Sequence, residues 1–133
     1  MVKSKTKIKE KLWKYFSLYI RLRDTDNKGM WKCISCWREY HYKTLQCWHF
    51  IPRYYHIRTY DEKINNANCY WCNCMKSWNY IEYEYWMIKK YWKKEVERLK
   101  NWRNELKNRK EYELEEMIEI YKNKSDELLK TKK

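Results

Sequence analysis

Two cysteine pairs, with His49 between them, are the residues of this sequence best suited to chemistry. Each pair has the spacing Cys-x-x-Cys: Cys33 with Cys36, and Cys69 with Cys72. This spacing lets both thiolates of a tight turn reach one tetrahedral zinc ion. The 32 residues between the pairs exceed the usual gap of about 15–20 residues. The pattern predicts a zinc ion that holds together the two ends of an insert carrying His49. The zinc would be structural, because four protein ligands leave no position for water.

The other two cysteines, Cys47 and Cys74, lie outside this set. Cys74 is an alternative ligand to Cys72, but its spacing fits the turn less well, so we expect both to be buried thiols. Six cysteines also permit a disulfide framework. Residues 1–10 lack the apolar stretch of a secretory signal, so metal is the better explanation for the cysteines.

Several segments in a characteristic order, together with the helical tail that follows them, span roughly residues 10–125. They are Phe16–Asp24 (FSLYIRLRD), Cys33–Cys36 (CISC), His49–Arg53 (HFIPR), Tyr60–Asn65 (YDEKIN), Cys69–Asn73 (CYWCN), Ser77 with Asn79, and Tyr83 with Glu84. On these segments the sequence resembles the lambda NinG (Rap) recombination endonucleases, a branch of the HNH or ββα-metal nuclease superfamily. The specific feature is the order of these segments, in which HFIPR lies between the two cysteine pairs and Asn73 directly follows Cys72.

The resemblance implies an endonuclease that hydrolyses phosphodiester bonds in branched DNA, such as a Holliday junction, or in single-stranded DNA. His49 would be the general base that activates water, which suits a side chain with an unperturbed pKa of about 6.5. Asn65 corresponds to an Asn that braces the loop and orients the histidine backbone. Asn73 corresponds to a ligand of a single catalytic Mg²⁺ or Mn²⁺.

The position before His49 departs from the pattern of the family. Many relatives have an acidic metal ligand there, whereas this chain has Trp48. Asp61 or Glu62 would supply the missing carboxylate, with an ordinary surface charge as the alternative. This departure leaves a second hypothesis open. The protein would then be an accessory protein of recombination that contains zinc and binds DNA but is not catalytic. A helical interaction module with an architectural zinc is a third.

His41 and His56 are secondary candidates for the catalytic histidine, and we expect structural roles for both.

The charge of the chain favours a polyanionic partner. The net charge is +13, and residues 1–28 carry nine Lys or Arg against three Asp or Glu. Arg53, Arg58 and Lys76 flank the proposed centre, so we expect them to contact phosphates without reading bases. We expect the protein to recognise DNA shape or single-stranded regions. Recombination proteins are further candidate partners, and a dimer is one candidate oligomeric state. No uncharged apolar stretch is long enough for a membrane span, and the expected location is the cytoplasm of a phage or prophage host.

The predicted fold class is α+β. We expect a basic amino-terminal helix in residues 1–28, a zinc-stapled ββα core in residues 29–82 and a helical arm in residues 83–133. Apolar residues recur at helical spacing in residues 7–23 and 80–91, and again from Val96 to Leu106 and from Leu114 to Tyr121.

The elements between the helices are harder to predict. In residues 31–55 we expect the first cysteine pair and then a β-hairpin. Residues 54–68 are expected to form a loop, because their asparagines favour turns. We expect a short helix to begin at the second cysteine pair, and residues 122–133 to fray.

Nine tryptophans and a single glycine are an unusual balance, since average usage predicts about nine glycines in a chain of this length. Five tryptophans occupy positions that are typically glycine in the family that the sequence resembles: Trp37, Trp48, Trp71, Trp78 and Trp92. Trp92 ends a helical run at a C′-type position. We predict that UGA encodes glycine in the source genome. The alternative is genuine aromatic residues that stack on bases or fill the core.

Overall fold

The structure is a computed structural model that describes residues 2–33, 38–49, 60–70, 80–101 and 110–132. Within these ranges the helices are α1 (Val2–Asp24), α2 (Tyr80–Tyr91), α3 (Lys93–Asn101) and α4 (Glu111–Leu129). The strands are β1 (Met30–Lys32), β2 (Glu39–His41), β3 (Leu45–His49) and β4 (Asn65–Cys69), and a 3₁₀ turn occupies Tyr42–Thr44. This mixture of helices and small antiparallel sheets agrees with the predicted α+β class.

The largest apolar cluster lies between α1 and α4. Leu12, Phe16 and Ile20 follow one face of α1 and are fully buried, as the helical spacing predicted. The Phe16 ring meets Tyr60 and Tyr121 edge-on, with ring centres 5.6 and 4.9 Å away. The same cluster includes Leu114 and Ile118 of α4 and Cys47 of β3. The two terminal helices therefore share one core.

The carboxyl-terminal segment was predicted to fray, and that prediction was wrong for most of its length. Helix α4 continues to Leu129. Ser125 is buried and its hydroxyl donates to the Tyr15 carbonyl at 3.3 Å, while the Lys132 ammonium donates to the Thr25 carbonyl at 3.0 Å. Packing against α1 stabilises this end of α4, which helix propensity alone does not reveal.

Strands β1 and β2 pair in an antiparallel arrangement, and Cys33 directly follows β1, whereas the sequence predicted a hairpin that begins after the first cysteine pair. Asp26 and Gly29 make the preceding turn, as predicted. Gly29 has a φ of +76°, and a Cβ there would lie 3.0 Å from Cδ1 of Tyr42. This turn therefore requires glycine both for its left-handed backbone and for the close approach of Tyr42.

Residues 65–68 were predicted to belong to a loop, and the structure corrects this: together with Cys69 they are a strand. They form β4, which pairs with β3 in an antiparallel ribbon and is buried along its whole length. Asparagine favours turns because its side chain competes with backbone hydrogen bonds. Here Asn65, Asn66 and Asn68 are fully buried and bind groups far away in the sequence, so tertiary contacts override the local preference.

Helices α2 and α3 pack on the other side of β4 around a second apolar cluster. It contains Ile64, Tyr83, Met87, Val96 and Leu99, all buried. Helix α2 has the limits predicted for residues 80–91. None of the helices in the described part of the chain is both long and apolar enough to cross a membrane.

Candidate functional site

The β3–β4 ribbon brings together three residues that the sequence proposed for one catalytic centre. In the antiparallel register His49 lies opposite Asn65. The Asn65 side chain donates from Nδ2 to the carbonyl of Asp61 at 2.6 Å. Asn65 therefore links the strand position that faces His49 to the turn that contains Asp61.

The turn before β4 is ordered by local hydrogen bonds. Oδ1 of Asp61 accepts the backbone N–H of Lys63 at 2.9 Å, a typical Asx turn. On the other side, Oδ1 of Asn65 accepts from the Cys47 thiol at 3.6 Å. Cys47 is buried, which confirms the burial expected for it. Both amide atoms of Asn65 are thus engaged, so its side chain has one orientation.

Glu62, the other carboxylate proposed as a metal ligand, joins α1 to α4. It accepts from the hydroxyls of Tyr19 at 3.1 Å and Tyr121 at 3.0 Å and from the Lys124 ammonium at 3.1 Å. Burial opposes the charge on Glu62, but the hydrogen bonds from Lys124, Tyr121 and Tyr19 lower its pKa below the ordinary value. These contacts favour a structural role for Glu62 and leave Asp61 as the better candidate ligand.

The outer edge of β4 is closed by the last two residues of α1. Arg23 donates to the Asn65 carbonyl at 2.9 Å, and Asp24 accepts the backbone N–H of Ala67 at 2.8 Å. The two side chains also bind each other, with Nε of Arg23 2.8 Å from Oδ1 of Asp24. An exposed strand edge leaves backbone groups without partners, and this pair satisfies them as a neighbouring strand would.

Asn66 lies at the centre of a buried polar network between β4 and α2. Its Oδ1 accepts from Arg23 at 3.2 Å and from the Lys90 ammonium at 2.9 Å, while its Nδ2 donates to the Tyr83 hydroxyl at 3.0 Å. Burial lowers the pKa of Lys90 to about 8, although Asp24 at 4.0 Å acts in the opposite direction. Burial also raises the pKa of Tyr83 well above its usual value. The network fixes β4 against both α1 and α2.

Two of the four predicted zinc ligands lie in one small buried cluster. Cys33 and Cys69 are 0% and 1% exposed, and Trp31 and Tyr40 pack against them. The side-chain oxygen of Asn68 contacts the Cys33 thiol and accepts the backbone N–H of Cys69 at 3.0 Å. Two thiols together in a buried position suit a structural zinc site, so the described half of the site fits the ion.

The remaining residues for which the sequence predicted a role lie outside the described residues. This applies to the following residues: Cys36, Cys72, Cys74, Asn73, Arg53, Arg58, Lys76, His56, Trp37, Trp71 and Trp78. Within the described ranges, no group of three or more His, Cys, Asp or Glu residues forms a metal site. The predicted zinc and catalytic metal sites therefore stay predictions.

His41 has the structural role that was expected of it. Its Nδ1 accepts the backbone N–H of Lys43 at 3.3 Å and so caps the 3₁₀ turn. Its ring lies 4.4 Å from that of Tyr42. A substitution of His41 is therefore a suitable control for the same substitution of His49.

Trp92 has the backbone conformation that glycine would adopt most easily. It separates α2 from α3 with a φ of 74° and is the single non-glycine residue with positive φ in the described part of the chain. Its N–H donates to the Ile88 carbonyl at 2.8 Å, and its own carbonyl accepts from Val96 at 3.1 Å. Its side chain is 80% exposed. The C′-type position predicted for Trp92 is confirmed.

Comparison with known proteins gives one match, which covers nearly the whole chain. The family model described as Bacteriophage Lambda NinG protein matches residues 1–132. The chain belongs to the NinG family. No curated protein and no solved structure matches it.

For this NinG-family chain, sequence reasoning missed the residues that hold β4 in place. Arg23 and Asp24 lie in one of the segments that carried the family resemblance, but no role was inferred for them. Asn66 and Lys90 gave no recognisable signal, because their partners are distant in sequence. Only the pairing of a buried β4 with the end of α1 explains why an Arg-Asp dipeptide belongs there.

Proposed function

We propose that this protein is a phage recombination endonuclease that hydrolyses phosphodiester bonds in branched or single-stranded DNA. Membership of the NinG family supports the recombination context. The observation that supports the catalytic part most directly is the register of the ribbon, in which His49 lies opposite the buried Asn65. A rigid strand pair is a suitable support for a general base.

In this proposal His49 accepts a proton from a water molecule as the water oxygen attacks the phosphorus atom. A new P–O bond forms while the bond from phosphorus to the 3′ oxygen breaks. Asn65 positions the strand that carries His49 through its bond to the Asp61 carbonyl. Arg53, Arg58 and Lys76 hold the phosphates on either side by charge.

Two metal ions complete the proposed centre. Cys33, Cys36, Cys69 and Cys72 would hold a structural Zn²⁺, whose binding free energy contributes to folding. Asn73 and Asp61 would hold Mg²⁺ or Mn²⁺, and the ion would stabilise the negative charge that develops on the phosphate and on the leaving oxygen.

A non-catalytic accessory protein that binds DNA is the second candidate. It is favoured by Trp48 at the position before His49 and by the engagement of Glu62 with Tyr19, Tyr121 and Lys124. Both features reduce the number of carboxylates that could bind a catalytic metal. The two candidates differ in a single measurable property, which is metal-dependent cleavage.

The deciding experiment compares His49→Ala with His41→Ala. Nicking of a branched DNA in the presence of Mg²⁺ should fall by at least about 10²–10⁴-fold in His49→Ala, which is typical for loss of a general base. Binding of the same DNA should stay nearly unchanged. His41→Ala should cut like the parent, because the His41 side chain caps the 3₁₀ turn and packs against Tyr42. Equal cleavage by the parent and His49→Ala would reject the assignment of His49, and binding without cleavage in the parent would favour the accessory protein.

A further inference from the structure

The junction between α2 and α3 carries a concentrated positive charge that the proposed centre does not use. Four of the six residues 89–94 are lysines, and none is acidic. We propose that this basic elbow, defined by Lys89, Lys90, Lys93 and Lys94, is a second phosphate-binding surface for DNA. The inference rests on the proposed function, because it extends the DNA contact beyond the ribbon.

The basic elbow is attached to the strand that faces His49. The Lys90 ammonium donates to Oδ1 of Asn66 at 2.9 Å, and Asn66 is next to Asn65, the partner of His49 in the register. Lys63, which precedes β4, binds Glu95 of α3 at 3.0 Å. Duplex DNA carries one negative charge about every 1.7 Å along its axis. Side chains alternate between the two faces of a strand, so Asn65 faces Cys47 whereas Asn66 faces α2 and the elbow. DNA that contacts the ribbon and extends past its edge would present further phosphates to the elbow.

Two acidic residues near the basic elbow, Glu95 and Glu84, already bind other cations, and Glu97 of α3 is the exposed carboxylate nearest to Lys93 and Lys94 in sequence. Arg98 and Lys63 bind Glu95 and lower its pKa to about 2. Lys100 binds Glu84. Among the residues it describes, the structure forms no ion pair between a carboxylate and Lys89, Lys93 or Lys94, and the four lysines of the elbow outnumber the single carboxylate of Glu97.

The ammonium groups of the basic elbow are also accessible. Lys89, Lys93 and Lys94 are exposed. Lys89 lies over the ring of Tyr85, 5.0 Å from its centre, and Tyr85 is itself 66% exposed. Lys90 differs from the other three, because its ammonium is tied to Asn66 and its pKa is lowered to about 8. Lys90 therefore anchors the elbow, and the other three lysines make the phosphate contacts.

Helix α4 provides a contrast that favours DNA at the basic elbow. Residues 111–119 contain five glutamates and no Lys or Arg. A nucleic acid would be repelled from this half of α4 and attracted to the elbow. Such an asymmetric charge distribution orients a polyanion as it approaches.

The test measures DNA binding of two variants that each lose two exposed lysine charges. One is Lys93→Gln with Lys94→Gln in the basic elbow, and the control is Lys122→Gln in α4 with Lys130→Gln, the residue that follows α4. Loss of phosphate contacts should reduce the slope of log K against log salt by about one for each lysine. We expect a decrease of about two in the elbow variant and almost none in the control, with circular dichroism confirming that both are folded.

The outcomes separate this inference from the proposed function. If the parent binds DNA and the elbow variant has the slope of the control, the inference is wrong while the proposed function stands. That result would instead fit a surface for an acidic protein. If the parent binds no branched, single-stranded or duplex DNA at all, the proposed function fails and the inference fails with it.

Discussion

At the scale of single residues, Trp92 is the side chain that fits its position least well. A residue with a Cβ loses about 1–2 kcal/mol in the left-handed region that Trp92 occupies. A side chain that is 80% exposed recovers little of this cost through burial. Glycine would adopt the same backbone without strain, which agrees with the prediction that tryptophan stands here for a glycine of the natural protein.

Trp92→Gly should raise the free energy of unfolding by about 1 kcal/mol, because relief of the strained backbone exceeds the added flexibility of the unfolded chain. Urea denaturation measures this difference. Trp92→Ala should gain less, since it keeps a Cβ. Trp86→Gly is the matched control and should lose about 3 kcal/mol, because Trp86 packs edge-on against Trp31. A Trp92→Gly protein no more stable than its parent would contradict the interpretation.

The same hypothesis makes a prediction about the natural host. Peptides from that host should contain glycine at all five positions, and the codons there should be TGA: Trp37, Trp48, Trp71, Trp78 and Trp92. A recombinant protein with glycine at these positions should bind zinc and cut DNA better than the tryptophan form. Mass spectrometry and the gene sequence check this directly. TGG codons at these sites, or full activity of the tryptophan form, would reject it.

At the scale of elements, the end of α1 determines how β4 is held. Asp24 is 7% exposed on its side chain and Arg23 is 21% exposed, so their charges are largely removed from water. Arg23 also donates to the Glu62 carbonyl at 2.8 Å. Removing one partner of such a pair leaves the other charge without compensation, which costs more than the pair itself contributes.

Asp24→Asn should therefore lower the free energy of unfolding by about 2–4 kcal/mol. The amide keeps the shape of the carboxylate but loses its charge, so Arg23 stays partly buried without a counter-ion. Denaturant unfolding provides the measurement. Glu127→Gln is the control, because its partner Lys130 is 72% exposed and Glu127 itself is 73% exposed, and breaking such a surface pair costs less than about 1 kcal/mol. Equal effects of the two variants would show that the Arg23–Asp24 pair does not hold β4.

At the scale of the whole molecule, the described residues form two apolar clusters on either side of the β3–β4 ribbon. One lies between α1 and α4, and the other lies among α2, α3 and Ile64. The buried Cys33 and Cys69 lie where β1 ends and where β4 ends. A metal ion there would connect the hairpin of β1 and β2 to the end of the ribbon, and so would stabilise the arrangement of both sheets.

We therefore expect about one tightly bound zinc per chain, and removal of it by a chelator should abolish cooperative unfolding of the core. Cys33→Ser should have the same effect and should reduce the zinc content. Cys47→Ser is the control, since Cys47 is buried but lies outside the proposed zinc ligands. It should keep the metal and lose only about 1 kcal/mol of stability. Metal analysis and thermal unfolding are the measurements, and a metal-free protein of unchanged stability would refute the zinc site.

The sequence alone was sufficient for the limits of α2, for the buried face of α1 and for the family, but not for the end of α4. The spacing of Leu12, Phe16 and Ile20 predicts a buried helical face, and such periodicity depends only on near neighbours. The order of the cysteine pairs around HFIPR indicated the NinG family, which the match over residues 1–132 confirms. Even the C′-type position of Trp92 followed from the local pattern.

Only the tertiary structure decided the role of the segment that contains Asp61, Glu62 and the asparagines. Asn66 binds Arg23, Tyr83 and Lys90. A local preference of asparagine for turns is worth less than the hydrogen bonds that become available when β4 is buried against α1 and α2. Those partners are brought near by folding, and their distance in sequence is the reason that no local pattern predicted β4.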